Sequence, residues 1–210
     1  MSAPNSDQAR VRVILVSGPS GSGKSRLARQ LKATHGWPIV ELDDFYREGG
    51  DPDLPMSPLG IPDWDDARSW NAAAAADALQ TLCADGVATV PRYDISTSAR
   101  CGSQTPNRDG ALIVIAEGIF AAHLIPILRS QGRLADAWCI RDHPWLTFSK
   151  RFIRDVRQRR KPIGTLWRRG HQLRRSEPGI VNAQISMGTT AMSSRTARLV
   201  AGDVATAPKP

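Results

Sequence analysis

A glycine-rich segment between an apolar run and a helical pattern limits the fold of this chain more than any other feature. Val11–Ser17 (VRVILVS) is short, apolar and rich in β-branched residues, which predicts a buried strand. After the glycines, Lys24–Thr34 carries Leu27, Ala28 and Leu31 at helical spacing, and a Gly-Trp-Pro sequence ends the pattern. A strand, a tight turn and a helix in this order are typical of a parallel α/β sheet.

The turn itself reads Gly18-Pro-Ser-Gly-Ser-Gly-Lys24-Ser25 and matches the P-loop pattern G-x-x-x-x-G-K-[ST] at every position. Its glycines let the backbone N–H groups converge on phosphate oxygens, and the start of the following helix adds a positive dipole end. In this pattern Lys24 reaches the β- and γ-phosphates and the Ser25 hydroxyl binds Mg²⁺. The predicted nucleotide-binding residues are Gly18, Ser20, Gly21, Ser22, Gly23, Lys24 and Ser25.

The rest of the chain alternates apolar runs with helical patterns. Further strands are predicted at Ile39–Leu42, Val87–Val90, Leu112–Ala116, Ala137–Ile140 and Ala183–Met187, helices at Ser69–Ala84, Phe120–Ser130 and Pro144–Arg160, and polar loops at Arg47–Asp66 and Ser96–Asp109. This alternation predicts an α/β, three-layer P-loop NTPase fold with a mainly parallel sheet. We expect one domain over residues 11–200, between a disordered N-terminus, 1–10, and a disordered tail, 201–210.

Positive charge is concentrated in one segment. The formal net charge is +8, and the stretch from Lys150 to Arg175 holds eleven Lys or Arg against one acid, Asp155. Nucleic acid, nucleotide phosphates or a membrane surface would each satisfy this charge. The helix predicted over Lys150–Lys161 suits a basic lid, because arginine neutralises the charge that spreads over a transferring phosphoryl group. We therefore predict a basic helical lid at about residues 150–175.

Composition excludes several other classes of protein. No apolar stretch approaches the roughly 20 residues that span a bilayer, and the polar N-terminus has no secretory apolar core. The three cysteines, Cys83, Cys101 and Cys139, form neither a disulfide framework nor a metal pattern. We expect a cytoplasmic protein without a membrane partner, and the sequence leaves its oligomeric state open, a homo-oligomer included.

Acidic residues follow two of the predicted strands. Asp43 and Asp44 come directly after one, and Glu117 follows another. Because the carboxyl ends of parallel strands meet at the edge where the P-loop lies, these acids should face the γ-phosphate. We predict that Asp43 accepts the proton of an acceptor hydroxyl and that Glu117 holds Mg²⁺, directly or through water. A cap is the competing interpretation for Asp43 and the favoured one for Asp44, and a turn-satisfying carboxylate is the alternative for Glu117.

Five segments follow the P-loop in a fixed order. They are Leu42-Asp43-Asp44-Phe45-Tyr46, Trp64-Asp65-Asp66-Ala67-Arg68-Ser69-Trp70, Pro91-Arg92-Tyr93-Asp94, Glu117-Gly118-Ile119 and the basic run from Lys150 to Arg159. Together with the P-loop they resemble the uridine kinase family, within the wider group that contains phosphoribulokinase. The resemblance covers about residues 11–161, and the P-loop is the one segment that is specific alone.

The resemblance implies a phosphotransferase that uses ATP (or GTP) with Mg²⁺ and a small hydroxyl-bearing acceptor. It implies that Asp43 is the general base toward a sugar 5′-hydroxyl and that Asp65 binds ribose hydroxyls. The implied catalytic residues are Asp43, Lys24 and Arg154; the implied acceptor-binding residues are Asp43, Tyr46, Asp65, Tyr93, Arg151 and Arg154; Ser25 and Glu117 serve Mg²⁺, and Arg159 joins the nucleotide site. Tyr93 is also a candidate for core packing.

Departures from the family pattern leave the acceptor open. The family carries a pyrimidine-reading His shortly after P-x-Y-D, where Ser98 stands in this chain, and Asp66-Ala67 replaces the usual His-Pro. A nucleoside such as uridine or cytidine is the leading acceptor; pantothenate, nicotinamide riboside, glycerate or a sugar are alternatives. A nucleic-acid-binding NTPase is a further alternative, but the basic segment contains only Phe152 and Trp167 as stacking platforms. A nucleotide-gated module without transfer chemistry is the third class.

Overall fold

The fold is built around a parallel β-sheet. A computed structural model describes residues 11–58, 60–141 and 178–206. Its strands are β1 (Arg12–Ser17), β2 (Ile39–Glu41), β3 (Val90–Asp94), β4 (Ala99–Gln104), β5 (Ile113–Glu117), β6 (Leu134–Ile140) and β7 (Thr190–Met192). Five of them form one sheet in the order β2-β5-β1-β6-β7, with every neighbouring pair parallel. Strands β3 and β4 form a separate antiparallel pair.

Helices connect these strands. They are α1 (Lys24–His35), α2 (Ala72–Asp85), α3 (Ile125–Ser130), α4 (178–186) and α5 (Ser194–Thr206). Local sequence explains several of their ends. Asn71 caps α2 by accepting a hydrogen bond from the Ala74 N–H at 3.0 Å, and Gly86 ends the helix in the left-handed conformation. Gly36 ends α1 in the same way.

Apolar side chains cover both faces of the sheet. Strand β1 alternates between them, so that Val13 and Leu15 join the cluster with α2 and α3, while Ile14 and Val16 join the cluster with α1 and α5. Every residue of β5 is buried, as expected for a strand covered on both sides. The predicted three-layer α/β fold with a mainly parallel sheet is therefore confirmed.

Several predicted elements differ from the structure. The predicted loop Ser96–Asp109 contains β4. The predicted strand Ala183–Met187 lies mostly in α4, because Val181 and Gln184 are buried three positions apart, which is a helical spacing; the last strand of the sheet is β7. Helix α5 crosses the predicted domain boundary at residue 200 and continues to Thr206, with Ala201 buried against the core.

The predicted helix Phe120–Ser130 is divided into a 3₁₀ turn over Ala121–Leu124 and α3. Pro126 lies in the first turn of α3, where its missing N–H costs no helical hydrogen bond. The predicted lid and the N-terminal segment for which we expected disorder lie outside the described residues. Among the helices of the described part, none combines the length and the apolar character that crossing a membrane requires.

Candidate active site

The P-loop curls tightly between β1 and α1. Gly18, Gly21 and Gly23 have φ values of 135°, 82° and 96°, which favour glycine. A Cβ on Gly18 would also collide with the Ile140 carbonyl oxygen of β6. Lys24 is buried, and its Nζ donates to the Gly18 and Pro19 carbonyl oxygens at 2.8 and 3.1 Å. The loop therefore holds its lysine back against its own main chain.

Ser22 is a buried residue of the same loop whose hydroxyl is unsatisfied. Its Oγ has no hydrogen-bond partner among the described residues and lies 3.0 Å from where a Gly18 Cβ would be. A buried hydroxyl without a partner is costly, and a phosphate oxygen or a bound water would satisfy it. The interior of the P-loop thus fits an oxygen-rich anion.

Glu117 is the buried carboxylate of the site. It ends β5 and pairs in register with Val16 of β1, one residue before the strand runs into the P-loop. Burial raises the pKa of Glu117 above its usual value; the Ser25 hydroxyl hydrogen bond and the Lys24 ammonium oppose this rise, while Asp43 adds to it. The structure therefore brings Ser25, Lys24, Asp43 and Glu117 together. A hydroxyl and a carboxylate are oxygen donors that suit Mg²⁺, so these residues fit the predicted metal.

Asp43 lies beside Glu117 because of strand pairing. It belongs to the 3₁₀ turn Leu42–Phe45 that follows β2, whose Glu41 is in register with Glu117. Its Oδ1 accepts a hydrogen bond from the Ile119 N–H at 3.3 Å. The absent side chain at Gly118 makes room for this approach, since a Cβ there would lie 2.9 Å from Asp43 Oδ1. Asp43 is exposed and can meet a substrate hydroxyl.

Asp44 does not act as the predicted cap. Its Oδ1 accepts from the Tyr93 N–H at 2.9 Å and its Oδ2 from Gln104 Nε2 at 3.0 Å. Burial raises the pKa of Asp44, and the Tyr93 hydrogen bond opposes that rise. Asp44 therefore ties the β3–β4 hairpin to the turn that carries Asp43. The cap prediction is wrong because the partners come from distant strands.

Aromatic rings line the space next to Asp43. The Tyr46 ring contacts those of Trp64, Tyr93 and Phe120 at centroid distances of 5.8–6.0 Å. The Tyr46 hydroxyl donates to the Trp64 carbonyl oxygen, and the Tyr93 hydroxyl donates to the carbonyl oxygen of residue 47. Tyr46 and Tyr93 are thus packed, half-buried residues rather than free hydroxyl donors.

Asp65 lies near Tyr46 and is exposed. Burial raises the pKa of Tyr46, and the charges of Asp43 and Asp65 raise it further. Both carboxylates therefore lie close enough to the Tyr46 hydroxyl to act on it electrostatically. The Asp65 carboxylate is open to solvent here, and its oxygens are hydrogen-bond acceptors.

Two of the described arginines near this space are paired with acids. Arg47 donates to Asp51 Oδ2 at 3.0 Å, and Arg68 donates to Asp66 at 2.7 Å. The side-chain and main-chain hydrogen bonds from Arg68 lower the pKa of the Asp66 carboxyl to about 2. Within the described part of the chain, these two guanidinium groups are engaged before any ligand arrives. Arg151, Arg154 and Arg159 lie outside the described residues.

Three residues near the site were not expected from the sequence. Gln184 of α4 hydrogen-bonds the main chain beside Asp43. Ser194, at the start of α5, has its Oγ 3.6 Å from where a Gly23 Cβ would be. His123 stacks edge-on against Phe120, and burial lowers its pKa. Long sequence separations hide Gln184 and Ser194, since no local pattern signals contact between residues so far apart.

The parallel sheet and the P-loop define the class: the chain has the P-loop NTPase fold. No protein-family model and no curated protein matches the chain. Among solved structures, a proposed fructose transport system kinase from Silicibacter sp. TM1040 is similar, with a TM-score of 0.60, 15% identity, and 87% of this chain and 88% of that chain covered. This likeness establishes the fold.

Two more distant solved structures are also similar to the chain. A proposed uridine kinase from Bacillus stearothermophilus has a TM-score of 0.48 and 20% identity, covering 81% of this chain and 84% of its own. D-glycerate 3-kinase from Cryptococcus neoformans var. grubii has a TM-score of 0.49 and 16% identity, covering 82% and 78%.

Proposed function

We propose that the chain is a P-loop kinase that transfers the γ-phosphoryl group of ATP or GTP to a hydroxyl of a small acceptor. The observation that carries this proposal is the pair of carboxylates beside the P-loop, with Glu117 in contact with Ser25 and Asp43 exposed next to it. A nucleotide-binding switch needs the P-loop and a metal-side acid. A second, exposed carboxylate is what phosphoryl transfer to an alcohol adds, because the alcohol must lose its proton.

We assign a role to each residue of the site. Asp43 accepts the proton of the acceptor hydroxyl while the oxygen of that hydroxyl forms a bond to the γ-phosphorus. The bond between the γ-phosphorus and the β–γ bridging oxygen breaks, and the nucleoside diphosphate leaves. Lys24 gives up its main-chain carbonyl partners to contact the phosphates. Ser25 and Glu117 would hold Mg²⁺, which would neutralise charge on the phosphate oxygens.

An uncharged, hydroxyl-rich acceptor fits the described part of the acceptor space better than a carboxylic acid. The charges of Asp43 and Asp65 both act on the Tyr46 hydroxyl, while Arg47 and Arg68 are already paired with acids. Carboxylates accept hydrogen bonds from hydroxyls and repel anions, whereas aromatic rings stack on a flat base. We therefore favour the 5′-hydroxyl of a nucleoside such as uridine or cytidine over glycerate or pantothenate. Arg151, Arg154 and Arg159 keep their implied roles as predictions.

An acceptor screen tests the proposal. ATP consumption with Mg²⁺ is measured against nucleosides, vitamins, sugars and hydroxy acids, and we expect nucleosides to support turnover and hydroxy acids not to. Lys24→Ala should abolish this turnover, whereas Lys32→Ala, an exposed lysine of the same helix, should leave it unchanged. The proposal is contradicted if none of the tested acceptors supports turnover, or if Lys24→Ala transfers phosphate at the normal rate.

A further inference from the structure

Gln184 is a buried polar side chain beside the active site that the proposed chemistry does not use. It is 5% exposed, and it shares the inner face of α4 with Val181, while the two residues between them are exposed. Burying an amide is costly unless its hydrogen-bonding groups find partners. The hydrogen-bond partners of Gln184 therefore explain why a polar residue occupies this position.

Both ends of the Gln184 amide are engaged. Its Nε2 donates to the Ile119 carbonyl oxygen at 2.9 Å, and its Oε1 accepts from the Cys139 thiol at 3.1 Å. The orientation of the amide follows from chemistry, since a carbonyl oxygen can only accept and must face the NH₂ group. Burial raises the pKa of Cys139, so its sulfur keeps the proton that it donates.

The main chain of Ile119 connects Gln184 to Asp43. The Ile119 carbonyl accepts from Gln184, and the Ile119 N–H donates to Asp43 Oδ1. Two hydrogen bonds that hold the N–H and the carbonyl of one residue restrict its φ and ψ together. The direction of the N–H at Asp43 thus depends on the contact with Gln184.

We propose that Gln184 is a positioning residue for Asp43: it fixes the main chain of Ile119 so that the Ile119 N–H stays directed at the Asp43 carboxylate. This inference rests on the proposed function, in which Asp43 is the base. A carboxylate held by an amide donor keeps the orientation that proton transfer requires. A misplacement of about 1 Å at such a group costs up to about 100-fold in rate.

The first test needs no acceptor. Gln184→Met keeps the length of the side chain and removes both hydrogen-bonding groups. We expect the ¹H–¹⁵N amide signal of Ile119 to shift in this variant in the same direction as in Asp43→Asn, because both weaken the same hydrogen bond. Val181→Ala is the matched control, since it removes a buried side chain from the same face of α4 and should leave the Ile119 signal in place. An unchanged Ile119 signal in Gln184→Met, or an equal shift in Val181→Ala, overturns the proposal.

The second test asks whether Gln184 acts through Asp43. Single-turnover transfer from Mg·ATP is measured with the acceptor that the screen identifies, uridine first. Gln184→Met should lower the transfer rate about tenfold or more while KM for ATP stays unchanged. In the Asp43→Asn background the same substitution should cost less than about twofold further.

The outcomes separate the two proposals. A merely structural role would lower the rate by the same factor in both backgrounds, and that result overturns the positioning role. If the wild-type protein transfers phosphate to no acceptor, the proposed function fails. The Ile119 amide signal alone then decides whether Gln184 directs the Ile119 N–H at Asp43.

Discussion

Gly118→Ala is the substitution that most directly disturbs the close packing of Asp43 beside Glu117. The added Cβ would lie 2.8 Å from Leu42 Cβ and 2.9 Å from Asp43 Oδ1, where ordinary contacts begin at 3.4 Å. Leu42 is 1% exposed and has no room to move, so the Asp43 carboxylate must shift by about 0.5 Å. Overpacking of this kind costs about 1–3 kcal/mol of stability, which lowers Tm by about 2–12 °C in a chain of this size.

The catalytic effect should exceed what stability alone explains. A shift of about half an ångström at the base predicts a fall in kcat of about tenfold, with the affinity for Mg·ATP unchanged because the P-loop is untouched. The assay is steady-state transfer to the screened acceptor together with calorimetric nucleotide titration. Gly202→Ala is the control: among the described residues outside its own helix backbone and chain neighbours, no atom lies within 4 Å of the added Cβ, so activity should stay the same and α5 should gain up to about 1 kcal/mol of stability. Wild-type kcat in Gly118→Ala refutes the reasoning.

Three further predictions follow from burial and pairing. Asp44→Ala should raise KM for the acceptor more than it lowers kcat, because it frees the hairpin but leaves Asp43 in place; the converse pattern in steady-state kinetics opposes this. At pH 8 a thiol reagent should label exposed Cys101 quickly and leave Cys83 unreacted, because burial raises the pKa of Cys83 to about 11; mass spectrometry of the labelled peptides decides. Because burial raises the pKa of Glu117, ionising this carboxyl above its ordinary pKa of 4.5 lowers the stability of the fold. Without Mg²⁺ or nucleotide, Glu117→Gln should therefore have a higher Tm than wild type at pH 7, and the difference in Tm should disappear in acid. An equal or lower Tm for the variant at pH 7 contradicts this.

Local patterns in the sequence predicted the start of the fold well. Strand β1, the P-loop and α1 are adjacent in the chain, and each has its own signal: a β-branched run, spaced glycines and a helical period. The rule that parallel strands end at one edge of the sheet also predicted that Asp43 and Glu117 meet beside the P-loop. The first prediction relies on segments that are adjacent in the chain, and the second relies on a general property of parallel sheets.

Features that depend on distant pairing were not predicted. Strand β4 is polar and carries a glycine, so its sequence resembles a loop, and it forms a strand because it pairs with β3. For Asp44 the sequence favours a cap, because no local signal indicates its actual partners, Tyr93 and Gln104, which lie about 50 and 60 positions away. Gln184 gives no signal at all in the sequence, because a single polar residue in a helix is more often exposed.

The rate of phosphoryl transfer by Asp43→Asn tests the central claim most directly. Asparagine keeps the shape of the side chain but cannot take a proton from the acceptor hydroxyl. We predict that kcat falls by about 10²–10⁴ at saturating Mg·ATP and acceptor, while the affinity for a non-hydrolysable ATP analogue stays within about twofold. A wild-type kcat in this variant would contradict the assignment of Asp43 as the base.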